Sequence, residues 1–102
     1  MKYDKLVRDK IPEIIARQGK TPQVRILEHA EYTSYLERKL DEEVREYHKD
    51  QNLEELADIL EVVYALTENL GHSKEELMEA YQKKHDDRGG FRDRILLISN
   101  EG

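Results

Sequence analysis

The chain has 102 residues, 39% charged and 37% hydrophobic, and 17 Lys+Arg against 23 Asp+Glu leave a formal net charge of −6. This length suits one domain with a modest core, and the lack of cysteine removes disulfides, thiolate nucleophiles and Cys-ligated zinc. No apolar run approaches the roughly 18–20 residues of a membrane span, the start at Met1–Lys5 lacks a signal-like apolar stretch, and an acidic balance without a basic patch argues against duplex nucleic acid.

The expectation is therefore a single soluble, cytoplasmic domain over residues 1–102, with neither membrane nor duplex nucleic acid as partner. Asp9 is placed to cap a short first helix, with Pro12 in its opening turn and an end near Gly19. Pro22–Leu27 is extended in character, β-branched residues following a Lys-Thr-Pro turn. A long helix follows from about Ala30 to His48, with Leu36, Leu40, Val44 and Tyr47 at helical spacing. Asn52 to Glu55 reads as a capping box opening a third helix through Leu56, Ile59, Leu60, Val63 and Leu66, with Gly71 beyond its end. Ser73 to Glu76 repeats that logic for a last helix stopped by Gly89-Gly90. The apolar run Arg94–Ile98 is read as a tail strand or a segment packed on a partner. The fold class is all-α, with helices of about two to five turns. The two long amphipathic helices, joined tightly at Asp50-Gln51, form an antiparallel hairpin between shorter flanking helices.

Helical geometry decides where the acids fall. At about 100° per residue with Leu40 at zero, the second helix's apolar stripe lies within roughly 40°, Glu43 near −60°, Glu46 near −120° and Glu42 near −160°. With Leu56 at zero on the third helix, Glu55 falls near −100° and Asp58 near −160°, while Glu54 and Glu61 point to solvent near +150°. Glu43, Glu46, Glu55 and Asp58 thus flank their stripes with the same sign, and the local dyad of an antiparallel pair brings all four to one rim. Converging carboxylates repel unless a cation neutralises them. Oxygen ligands without Cys or paired His suit Mg²⁺ or Mn²⁺ rather than Zn²⁺. The competing reading is a merely solvated acidic surface, and geometry alone leaves both open.

Glu42-Glu43-Val44-Arg45-Glu46 followed by Glu55-Leu56-Ala57-Asp58 resembles the EExxE…ExxD pattern of the all-α nucleoside triphosphate pyrophosphohydrolases, the MazG-like superfamily. The opening Tyr3-Asp4-Lys5-Leu6-Val7-Arg8-Asp9-Lys10-Ile11-Pro12 and the tail Arg88-Gly89-Gly90-Phe91 are similar to a compact house-cleaning branch of that superfamily. The resemblance implies that Glu43, Glu46, Glu55 and Asp58 ligate Mg²⁺, with Glu42 as an accessory acid and Glu42 and Glu43 as the catalytic pair. It implies water attack between the α and β phosphates of a triphosphate, releasing a monophosphate and pyrophosphate. The gap from Glu46 to Asp58 is shorter than in many superfamily members, leaving little loop to shape a base pocket.

A triphosphate also needs cations. Lys84 and Arg88 share a face at the end of the last helix beside Gly89-Gly90, where they either bind phosphate or complement the helix dipole. Lys5 and Arg8 form a second basic group, read as phosphate contacts or as a salt-bridged N-terminal segment. His29, His48, His72 and His85 are scattered near segment ends and suit solvated surface; no Ser/His/Asp set or P-loop is present. Too few residues flank the hairpin to cover both its faces, so a homodimer or homotetramer is expected. The alternatives are phosphoribosyl-ATP pyrophosphohydrolysis in histidine biosynthesis and a non-catalytic helical interaction domain.

Overall fold

Helices begin where a polar side chain can reach the free backbone N–H groups of the first turn. The computed structural model describes residues 4–102, which form α1 (Ile11–Arg17), α2 (His29–Asp50), α3 (Leu53–Asn69) and α4 (Lys74–Arg88), with no strand among the described residues. Met1–Tyr3, and with them the signal-peptide expectation's first residues and Tyr3 of the N-terminal match, lie outside the described residues. At α4, Glu76 N–H donates to Ser73 Oγ (3.1 Å) and Ser73 N–H donates back to Glu76 Oε1 (3.0 Å), a complete capping box. At α3, Glu55 N–H donates to Asn52 Oδ1 at 2.9 Å, yet the Glu55 carboxylate does not return to the cap. It is drawn into the acidic cluster instead.

Two local expectations need correction. The N-cap of α1 is Lys10, not Asp9, and no side chain bonds there. Ile11 N–H already donates to Arg8 O (3.0 Å) and Ile14 N–H to Lys10 O (3.0 Å), while Pro12 has no N–H, so few donors remain for a cap. The strand alternative for Arg94–Ile98 also fails, because no ladder pairs the segment and Ile95–Ile98 stand 75–90% exposed; Pro22–Leu27 lies outside any helix. Helix α2 also runs longer than expected, to about six turns. It stops at Gln51, whose φ of 45° is left-handed and whose N–H donates to Tyr47 O at 2.7 Å. Gly71, at φ 91°, ends α3, its N–H donating to Glu68 O (2.9 Å).

The short Gln51-Asn52 connection turns α3 back along α2, and the two helices pack antiparallel. Asn69 Nδ2 donates to Thr33 Oγ1 (2.9 Å) at the open end, and Glu55 approaches Glu46 and Asp50 at the closed end. The seam on α2 runs through Thr33, Leu36, Leu40, Glu43 and Tyr47, and on α3 through Glu55, Ile59, Val62, Leu66 and Asn69, all buried or half-buried. This α3 seam is turned roughly 75° from the expected stripe. Leu56 and Leu60, expected in it, remain 45% exposed, since α3 is apolar on more than one side and its pattern does not single out one face. Leu36 (2% exposed) and Val62 (7%) are the buried apolar side chains of the described residues. Helix α4 leans on α3, and α1 stands apart from the other helices. The radius of gyration is 18.0 Å, against about 13 Å for a compact chain of this length. The accessible surface is 9566 Å², against about 6,000 Å² for a compact monomer of this mass.

Candidate metal centre

The seam positions matter because two of them are acids. Glu43 is buried on α2 at 8% exposure, and Glu55 is half-buried on α3 opposite it. With Asp58, one turn further along α3, they place three carboxylate oxygens within 4.8 Å of one another. Glu46, Asp50 and Glu55 form a second such group, so Glu55 is common to both. Of the four expected ligands, Glu43, Glu55 and Asp58 converge directly, while Glu46 joins through Glu55 and the closed end. Sequence reasoning missed Asp50, although its spacing of four from Glu46 and seven from Glu43 puts it on the same helical face.

Electrostatics separate these acids. Burial, then the neighbouring Asp50, Asp58, Glu46 and Glu43 carboxylates, pushes the Glu55 carboxyl above its ordinary range. Glu42 lies outside both groups and behaves oppositely. Burial pushes its carboxyl up, but hydrogen bonds and charge from Lys5 (3.0 Å) and Lys39 (3.4 Å) outweigh this and hold it below its usual range. A carboxylate so held is a poor proton acceptor at neutral pH.

Cations border the cluster from two sides. Lys39 Nζ lies 3.3 Å from Glu43 and 3.4 Å from Glu42, one ammonium shared by neighbouring acids of α2. Arg8 reaches across from the N-terminal segment to Asp58 (2.7 Å) and Glu61 (3.7 Å). Lys5 and Arg8 are thus tied to carboxylates within the chain, the salt-bridged alternative left open by the sequence. Lys84 and Arg88 are exposed in the last turns of α4; neither makes an ion pair or hydrogen bond among the described residues, and α4 does not touch α2. One chain does not bring them to the acids. All four histidines are exposed, as expected.

The donor set fits a hard divalent cation: every group is a carboxylate, and the three oxygens lie within 4.8 Å of one another, near enough for one ion to draw them to the roughly 3–4 Å separation of oxygens about Mg²⁺. Glu43, Glu55 and Asp58 would hold such an ion, with Glu46 and Asp50 beside them. No helix among the described residues is long and apolar enough to cross a membrane.

No family model matches the chain, and no solved structure matches it. A 41-residue stretch is 56% identical to part of an uncharacterized protein of Mycolicibacterium smegmatis, covering 40% of this chain and 42% of that relative's length.

Proposed function

We propose that the protein is a Mg²⁺-dependent nucleotide pyrophosphohydrolase of MazG-like type, cleaving a nucleoside triphosphate between its α and β phosphates, with Mn²⁺ as a substitute cation. The observation that carries this reading is the placement of Glu43, Glu55 and Asp58 within 4.8 Å across a helical seam that would otherwise take apolar side chains. Carboxylates desolvated beside one another cost stability, and binding a cation recovers it. When bound, the metal supplies positive charge against the phosphoryl oxygens as negative charge develops on them.

The chain's own residues do the rest. Glu43 and Glu55, fixed by the seam, and Asp58 and Glu46, at its edge, position the ion. Glu42 acts as an accessory acid by holding Lys39 and Lys5 beside the cluster. Arg8 changes partner from Asp58 to substrate phosphate once the acid is engaged. Water adds to the α phosphorus and pyrophosphate leaves, giving a nucleoside monophosphate. Lys84 and Arg88, remote from the acids of their own chain, reach substrate from a neighbouring copy.

That last role belongs to a wider proposal, a homodimer or homotetramer. The accessible surface exceeds that of a compact monomer by about 3,500 Å², an excess in the range of obligate interfaces. A cytoplasmic setting, where Mg²⁺ and nucleotides abound, completes the reading. The experiment is pyrophosphate release from standard nucleotides, damaged nucleotides and phosphoribosyl-ATP with Mg²⁺. Preference for phosphoribosyl-ATP would move the protein to histidine biosynthesis, and release from none would leave a non-catalytic helical domain.

A further inference from the structure

Behind the acidic seam, on the face of α2 turned from α3, lies a pocket of opposite character. It is a cavity of about 300 Å³ between α2 and the N-terminal segment, at the small end of ligand pockets. Its lining includes four cations, Lys5, Arg38, Lys39 and Arg45, against the two acids Asp4 and Glu42. Tyr35, Arg38, Glu42 and Arg45 recur at helical spacing, one stripe of α2.

The two acids do not account for the four cations. Glu42 already accepts from Lys5 at 3.0 Å and from Lys39 at 3.4 Å. Arg38 and Arg45 make no ion pair or hydrogen bond among the described residues, yet both border the cavity. Arg38 lies over the Tyr35 ring with its guanidinium carbon 5.0 Å from the centroid, which limits its freedom without using its N–H donors. Two guanidinium forks with free donors match the paired oxygens of a phosphate group. The pocket also adjoins the acidic cluster, because Lys39 lies 3.3 Å from Glu43 and 3.4 Å from Glu42.

We infer that this pocket, built on Arg38, Arg45, Lys39 and Lys5, is a pyrophosphate-binding site on the face of α2 opposite the acidic seam, joined to it through Lys39. The inference rests on the proposed pyrophosphohydrolase reading for the source of the anion, the pyrophosphate that the reaction releases. It stands on its own for the anion that it binds. Arg38 and Arg45 are pyrophosphate-binding residues here, and neither was apparent as such from the sequence.

The test is calorimetric titration of the metal-free full chain, in EDTA, with inorganic pyrophosphate. Wild type is expected to bind it, and R38Q/R45Q to bind it roughly a hundredfold more weakly, about tenfold per guanidinium removed. R38K/R45K keeps the charge without the fork and is expected to fall between them. Adenosine monophosphate, lacking terminal phosphates, is expected not to compete, whereas a non-hydrolysable nucleoside triphosphate competes. E43Q/D58N keeps the pyrophosphate binding while losing any stabilisation by Mg²⁺. Unchanged affinity in R38Q/R45Q, or no pyrophosphate binding by the wild type, overturns the site. Failure of Mg²⁺ to stabilise the wild type, with pyrophosphate binding still lost in R38Q/R45Q, overturns the metal reading and leaves the pyrophosphate site standing.

Discussion

Glu43 and Glu55 occupy positions where a two-helix seam ordinarily places leucine or isoleucine, and their surroundings differ in sign. Glu43 has Lys39 at 3.3 Å, while Glu55 has other acids nearby and a carboxyl pushed above its ordinary value of 4.5, by burial first and then by those acids. A carboxyl raised on folding makes the folded state hold its proton more tightly than the unfolded state. Its effect is therefore a loss of stability as pH rises through 4.5 towards the raised value. Removing that charge should help the empty protein and harm the loaded one. E55Q is expected to raise the melting temperature at pH 7 without metal and to reduce the rise that Mg²⁺ produces in the wild type. Thermal melts with EDTA and with Mg²⁺ check both signs, and a metal-free E55Q that melts lower contradicts the account. Residue types at helical spacing carried most of the acid cluster, including the convergence of Glu43, Glu55 and Asp58. They did not carry the partners of Lys5 and Arg8, because those pairings join residues 37 and 50 positions apart along the chain.

At the scale of the elements, local chemistry was the most legible. Ser73 and Asn52 cap their helices because their oxygens sit at the right offset from a free N–H, a relation contained within four residues. Asp9 fails as a cap for an equally local reason, the proline that removes a donor. The facing of α3 was less legible: with Leu53, Leu56 and Leu60 on one side and Ile59, Val62 and Leu66 on another, its choice of face depends on what α2 presents. Helix α4 leans on α3 alone, so its stability rests heavily on its cap. S73A is expected to cost about 1 kcal/mol of α4 stability, seen as faster amide exchange in its first two turns with the α2–α3 hairpin unaffected. The Ser73 backbone N–H, and then His72, hold the Glu76 carboxyl below its ordinary value. The stability this contributes is present above 4.5 and is lost as pH falls through the lowered value, so α4 should loosen in acid.

At the scale of the molecule, two buried apolar side chains among the described residues, with Leu56, Leu60 and Ile95–Ile98 exposed, describe a chain with more apolar surface than it covers. The composition anticipated that shortage, since a 102-residue chain with 37% hydrophobic residues cannot cover both sides of a hairpin. In the proposed oligomer the complementary face belongs to another copy, so the sequence of one chain does not say which surface meets which partner. Sedimentation equilibrium is expected to give a dimer or tetramer, and L56D/L60D to shift it towards monomer by placing charge in the buried contact. A wild type that sediments as a stable monomer contradicts that proposal. The central claim, that carboxylates from two helices form a metal site for hydrolysing a phosphoanhydride, is tested most directly by pyrophosphate release from nucleoside triphosphates. The account predicts release by the wild type with Mg²⁺, none with EDTA, and a loss of at least about a hundredfold in E43Q, an isosteric change at the buried ligand. Release that survives EDTA or persists undiminished in E43Q, or its absence from every nucleotide tested, would contradict it.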